Sequence, residues 1–145
     1  MSYLESSIVY ALHRARLSVV EYIREAFADH QITAIEFLAM IAVAENPGIS
    51  QADLAKALRV ERPRIVPTLD RLEERGLAKR TVSAADSRFR QIHLTKSGSQ
   101  LLRILQRRAG EHQKKIMAQL DEAEARTLLS SLWKLADHDW TSKKR

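Results

Sequence analysis

Apolar residues recur at helical spacing from the start of the chain. Leu4, Ile8, Leu12, Ala15, Val19, Tyr22 and Ala26 form one line, and Ile23 and Phe27 widen it. The spacing predicts one unbroken helix over residues 4–28, about 37 Å long at about 1.5 Å per residue. A small lobe cannot cover that length, so part of its apolar face is expected to meet a second subunit. The next helix opens at Thr33, where Thr33-Ala-Ile-Glu36 fits a capping box. Phe37 to Ala44 is apolar nearly all round, the mark of a buried helix, and Asn46-Pro47-Gly48 ends it.

Two short helical patterns follow close together. Ser50 caps the first, with Asp53 three residues on and Leu54, Ala55 and Leu58 facing inward. A turn around Arg59 and Val60 leads to the second, which starts near Glu61-Arg62-Pro63 because proline suits a first helical turn. Ile65, Leu69 and Leu72 face inward, and Arg62, Arg64, Thr68 and Arg71 are left on other faces. Pro67 predicts a slight kink, and Gly76 stops the helix. Leu77 to Ser83 and Arg88 to Leu94 then read as two strands joined by Ala84-Ala85-Asp86-Ser87. Thr95 caps a fifth helix whose line is Leu101, Leu105, Ala109, Ile116 and Leu120, with His112 in it. Asp121 and Glu124 open a sixth, with Leu128, Leu132, Leu135 and Trp140 as its stripe.

Helix, turn, helix and hairpin in that order make a winged helix. The expected fold class is therefore mainly α with a small β-hairpin wing. It is a winged helix-turn-helix with N- and C-terminal dimerisation helices. One domain is expected over residues 1–145. Its dimerisation helices cover about 1–30 and 99–145, and its DNA-binding lobe about 31–98.

Charge sharpens this picture. The net charge of +6 is modest, but between Arg59 and Arg90 nine basic residues face five acidic ones. That places most of the excess at a helix start and a hairpin tip, as a polyanionic partner requires. The absence of cysteine excludes disulfides and thiol switches. No apolar run approaches the roughly 20 residues of a membrane span, and no signal peptide is evident, so a cytoplasmic, nucleoid-associated protein is expected. With four glycines, no phosphate-cradling loop and no nucleophile motif, an enzyme is not expected. The five histidines lack metal-ligand spacing, so neither metal nor cofactor is expected.

Three patterns together resemble the MarR family of bacterial transcription regulators. They are LDRLEERGLAKR (Leu69 to Arg80), Asp86-Ser87-Arg88, and Leu94-Thr95-Lys96-Ser97-Gly98. The resemblance spans essentially the whole chain and implies a homodimer on pseudo-palindromic DNA. Recognition helices would lie in successive major grooves and wings in the flanking minor grooves. It assigns Arg88 to the minor groove and Asp86 to orienting the wing. It gives Arg62, Arg64 and Thr68 to base or phosphate contacts. Pro67 stands where many members carry a polar or basic residue, and would press on a sugar or a thymine methyl group. Pro63, Arg71 and Arg90 complete the candidate DNA surface, and Ser50 and Gln51 can donate to phosphate from a helix N-terminus.

The family commonly releases DNA when a small molecule binds, which implies a small anionic effector such as an aromatic or phenolic acid or its CoA thioester. Arg16, flanked by Leu12, Val19 and Val20, is the candidate anchor, with His13 and His112 as hydrogen-bond partners. Their plainer readings are an intersubunit ion pair or snorkelling side chain for Arg16, and packed or interface positions for the histidines. Phe37 and Met40 offer pocket-lining surface, against the plainer reading that they fill the core. The alternative function is a winged-helix protein-interaction module, or a regulator without a small-molecule effector. Only Phe89 in the wing would suit a protein partner.

Overall fold

The N-terminal helix is not continuous. In the computed structural model, which describes residues 2–82 and 90–138, α1 (Tyr3–Ser6) ends at Ser7 and α2 (Ile8–Ala26) begins there. Ser7 is extended, and its hydroxyl accepts the Tyr10 N–H at 3.3 Å. A serine side chain that caps a new helix competes with continuation of the old one, and this overrides the unbroken apolar spacing. α2 stops at Ala26, and a 3-10 turn (Ala28–His30) leads through Gln31, at φ 50°, into α3 (Ala34–Glu45).

The chain divides into two compact units, residues 1–109 and 110–145. In the first, α3 is the central helix. Phe37, Ala39, Met40, Ala42 and Val43 are buried, together with Leu54 and Ala55 from α4 (Gln51–Ala57) and Ile65, Leu69 and Leu72 from α5 (Arg62–Glu74). Leu102 and Leu105, from the N-terminal part of α6 (Lys96–Met117), belong to the same core. Arg108 Nη1 and Nη2 hold the Asp29 carboxylate at 2.5 and 2.9 Å, and Nη1 also donates to the Ala26 carbonyl at 3.0 Å. That pairing keeps the Asp29 carboxyl below its ordinary range. The second unit carries the end of α6 and α7 (Glu122–Asp137), which opens on the expected Asp121–Glu124 capping box.

The sheet has three strands where the sequence predicts two. β2 (Ala78–Val82) and β3 (Arg90–Leu94) form the base of the hairpin, in register from Ala78 opposite Leu94 to Val82 opposite Arg90. β1 (Ile49–Ser50) adds to the other edge of β3, with Ile49 opposite Ile92. Gly48 turns the chain into this strand at φ 85°, and its N–H donates to the Ile92 carbonyl at 3.0 Å. Two residues are too few to show alternation, so nothing in the local pattern announces the strand. The hairpin tip, including Asp86, Ser87, Arg88 and Phe89, lies outside the described residues, as does Trp140.

The end of α5 is fastened to the start of α6. Gly76, at φ 64°, closes α5 in a Schellman arrangement, with Leu77 N–H on the Leu72 carbonyl and Gly76 N–H on the Glu73 carbonyl, both at 2.8 Å. Thr95 then returns to the same place. Its hydroxyl donates to the Gly76 carbonyl at 2.6 Å and accepts the Gly98 N–H at 3.0 Å, while its own N–H donates to the Leu77 carbonyl at 3.0 Å. A Cβ on Gly98 would sit 1.9 Å from the Leu77 carbonyl oxygen. Backbone cannot yield as a flexible side chain does, so Gly98→Ala is expected to cost at least about 1–3 kcal/mol. Thermal denaturation is expected to show a midpoint several degrees lower. An unchanged midpoint would mean that the two segments can separate freely.

Candidate nucleic-acid interface

α4 and α5 form the helix-turn-helix, and the turn between them is closed by backbone bonds. Arg59 takes φ 49° and donates its N–H to the Lys56 carbonyl at 3.1 Å, and Val60 N–H reaches the Ala55 carbonyl at 3.0 Å. This is again a Schellman arrangement, with arginine in the left-handed position usually given to glycine. It fixes where α5 begins. Glu61 is the N-cap residue without a side-chain capping bond, and Pro63 fills the second helical position.

The N-terminal half of α5 is exposed except at Ile65. Arg62, Pro63, Arg64, Val66 and Pro67 are all exposed, while Ile65, Leu69 and Leu72 are fully buried. Two guanidinium groups thus stand at a helix N-terminus, where the unpaired N–H groups and the helix dipole already favour an anion. Ser50 and Gln51 lie at the other relevant N-terminus, that of α4. Both are half-buried, and the Ser50 hydroxyl donates to Asp53 Oδ2 at 2.6 Å while accepting the Asp53 N–H at 3.1 Å. Arg90 is exposed at the start of β3.

Thr68 does not share that exposed surface. It is 6% exposed, and its hydroxyl donates back to the Arg64 carbonyl at 3.0 Å. Three residues after Ile65 is an inward position on a helix, and the back-bond satisfies the hydroxyl without solvent. This corrects the sequence expectation, which followed only the Ile65–Leu69–Leu72 line.

Several charges of the basic segment are committed to the fold. Arg80, largely buried, donates from Nη1 to Asp70 Oδ1 at 2.8 Å and to Glu73, whose other carboxylate oxygen accepts the Arg80 backbone N–H at 2.7 Å. That cluster ties β2 to α5. Arg71 Nε lies 3.0 Å from Glu36 Oε1, and Arg75 donates to two carbonyls at the end of the 3-10 turn. Arg62, Arg64, Lys79 and Arg90 are exposed, and so, despite their contacts, are Arg71 and Arg75. Glu36 is 1% exposed, and its only sign in the sequence is its place among apolar neighbours.

Of the residues expected around an effector, His13 and Arg16 are exposed on α2. Met40 is fully buried and Phe37 nearly so, its ring edge-on to Phe27 at 4.9 Å, and both belong to the core. His112 lies in the second unit. A cavity of about 470 Å³ opens in the first unit, lined by Val20, Arg24, Phe27, Ala28, Gln31, Ile32, Thr33 and Ala34. Phe37 and Met40 therefore fill the core and do not line this cavity.

Known proteins match this architecture. A sequence model of the MarR family matches residues 30–88. The transcriptional repressor CouR, solved bound to a 23-mer DNA duplex, is 34% identical with a TM-score of 0.89, covering 94% of this chain and 96% of that one. CouR bound to p-coumaroyl-CoA is 32% identical with a TM-score of 0.87, covering 96% and 98%. A putative transcriptional regulatory protein for the hcr operon of Thauera aromatica is 37% identical over 97 residues, which is 67% of this chain and 58% of that protein. The chain thus matches less than two thirds of the length of this curated relative. These relatives are regulators of transcription and not enzymes. With its winged helix, its exposed cationic start of α5 and end-to-end likeness to a repressor, the chain belongs to the MarR family of DNA-binding transcriptional regulators.

Proposed function

We propose that this chain acts as a homodimeric repressor. Its two α5 helices would read a pseudo-palindromic operator, and a small anionic effector, an aromatic or phenolic acid or its CoA thioester, would release it. The observation that carries this reading is the exposed pair Arg62 and Arg64, which flank the fully buried line of Ile65, Leu69 and Leu72 on α5. Arginine presents a planar fork matched to guanine O6 and N7. Pro63 and Pro67 would pack on sugar or on a thymine methyl group, and Ser50 and Gln51 would meet phosphate. Arg88 and Arg90 would serve the wing, with Asp86 orienting it.

Dimerisation is supported by what the single chain leaves uncovered. No residue of α1, α2 or α7 is buried, although Ile8, Leu12, Leu17, Leu128, Leu129, Leu132 and Trp133 are all exposed apolar residues of these helices. Exposed apolar stripes on this scale need a partner. Residues of about 1–30 and 99–145 are assigned to that interface, and about 31–98 to DNA. The effector class is supported by CouR, a relative of 32% identity solved with p-coumaroyl-CoA. Arg16 is the anchor proposed for the anionic group, with His13 beside it. An effector releases DNA only if it binds the DNA-incompetent state more tightly.

The test is a titration against DNA from upstream of the protein's own gene, followed over a range of salt. Neutralising about 6–8 phosphates gives a log–log slope of about −5 to −7, so doubling the salt weakens binding about 30- to 130-fold. A slope near zero would point to a protein partner instead. Aromatic acids and their CoA thioesters are then added to the complex, and release by at least one compound is expected. Arg88→Ala should lower DNA affinity at least several-fold with an unchanged thermal midpoint; equal affinity would remove the wing from the interface. In contrast, Arg16→Ala should leave DNA affinity within about twofold and blunt release by the effector. A full response in that variant would place the anchor elsewhere.

A further inference from the structure

Two arginines one turn apart fasten α5 to the segment from the 3-10 turn to the start of α3. Arg71 Nε lies 3.0 Å from Glu36 Oε1. Glu36 is 1% exposed, and its Oε2 accepts the Thr33 N–H at 2.7 Å and the Thr33 hydroxyl at 2.8 Å. Arg75 Nη1 donates to the Gln31 carbonyl at 2.9 Å, and its Nη2 donates to the His30 carbonyl at 2.6 Å. Along α5, Arg64, Thr68, Arg71 and Arg75 fall on one stripe at spacings of four, three and four residues. Thr68 is buried on that stripe, and the two arginines after it reach residues 30–36.

Resting on the DNA-binding reading above, we propose that Arg71 and Arg75 are positioning residues. They hold α5 at the orientation in which Arg62 and Arg64 meet DNA, and they do not contact the nucleic acid themselves. Arg71 thus leaves the set of DNA contacts to which the sequence assigns it. The chemistry of the pair gives it this leverage. The buried carboxylate has two Thr33 donors on Oε2 and only the Arg71 cation beside Oε1, which accepts no hydrogen bond, so removing the cation leaves a buried charge without its counterion. The chain answers by moving α5 relative to α3, or by drawing water to Glu36. The first response shifts the helix that carries the exposed arginines, and the second loosens its attachment to α3.

The salt slope separates a positioning residue from a phosphate contact. A duplex is first selected from a random-sequence pool by the wild-type protein. Affinity is then measured by fluorescence anisotropy across salt for the wild type, Arg71→Gln, Glu36→Gln, the double variant and Arg71→Lys, with folding checked by circular dichroism. Arg71→Gln is expected to bind at least about tenfold more weakly with an unchanged salt slope. Glu36→Gln, whose side chain is buried, should weaken binding similarly. The double variant should be no worse than the poorer single one, because the two residues act as one unit. Arg71→Lys should recover part of the loss. If Glu36→Gln fails to fold, the slope for Arg71→Gln and the recovery in Arg71→Lys decide the matter alone.

A slope shallower by about 1.8 in Arg71→Gln, one phosphate from each of two protomers at about 0.9 apiece, would overturn the proposal. So would wild-type affinity in Arg71→Gln. Absence of salt-sensitive binding in the wild type itself would overturn the DNA-binding reading and this inference with it. Because it appears before any substitution is made, that failure cannot be confused with the others.

Discussion

The close approach of α6 to the Leu77 carbonyl is the constraint on which the winged-helix lobe depends. Gly76 ends α5, Leu77 begins the path into β2, and Thr95 leaves β3 to cap α6. All three meet within a few bonds of one another, because Thr95 bonds both to the Gly76 carbonyl and to the Leu77 carbonyl. Only a residue without a Cβ fits at position 98, where any side chain would overlap the Leu77 backbone. The wing therefore leaves and rejoins the lobe at a single point at the end of α5. A shift of α5 is passed to the base of the wing, since Asp70 and Glu73 also grip Arg80 on β2.

This arrangement divides the basic residues into two kinds. Arg71, Arg75 and Arg80 are engaged within the lobe, Arg71 as the counterion of buried Glu36, Arg75 as donor to two carbonyls and Arg80 as donor to Asp70 and Glu73. Arg62 and Arg64 stand exposed at the N-terminus of α5. The first kind ties segments of the lobe together, and the second is proposed to supply the field that a polyanion meets. Counting charge along the sequence merges the two, which is why a net excess between Arg59 and Arg90 overstates how much cation faces outward. The positions at the helix start carry more of the argument than the total does.

Much of this was legible beforehand. Capping boxes at Thr33 and Asp121, the proline at the start of α5 and the glycine at its end depend on local chemistry, and local chemistry is what a sequence displays. The unbroken helix over residues 4–28 fails for the same local reason, since a serine at position 7 caps one helix and ends another. What remained hidden depends on contacts between distant segments. β1 is recognisable only from its pairing with Ile92. Arg71 lies seven residues, or two turns, beyond Arg64, so helical spacing alone groups it with the residues expected to meet DNA. Its partner Glu36 is 35 positions away in the chain. The Leu-Thr-x-x-Gly pattern was visible as a pattern, but its reason, the meeting with Leu77, was not.

The burial of Thr68 shows how α5 can carry a proline in its middle. Pro67 has no N–H, so the Pro63 carbonyl loses its intrahelical donor. Pro63 is exposed, and water can satisfy that carbonyl at small cost. One residue further along, the same loss would fall on the Arg64 carbonyl, to which the buried Thr68 hydroxyl donates. The proline thus occupies a position where the missing bond faces outward, next to the residues expected to meet DNA. Its ring fixes the backbone there and presents an apolar edge with no donor of its own. Under the proposed function, such a surface would discriminate by shape and by contact with a methyl group or a sugar at that position, and would leave hydrogen-bonded reading to the arginines of the first turn. The fold accepts the proline because the inward face of α5, through Ile65, Leu69 and Leu72, is buried independently of that single bond.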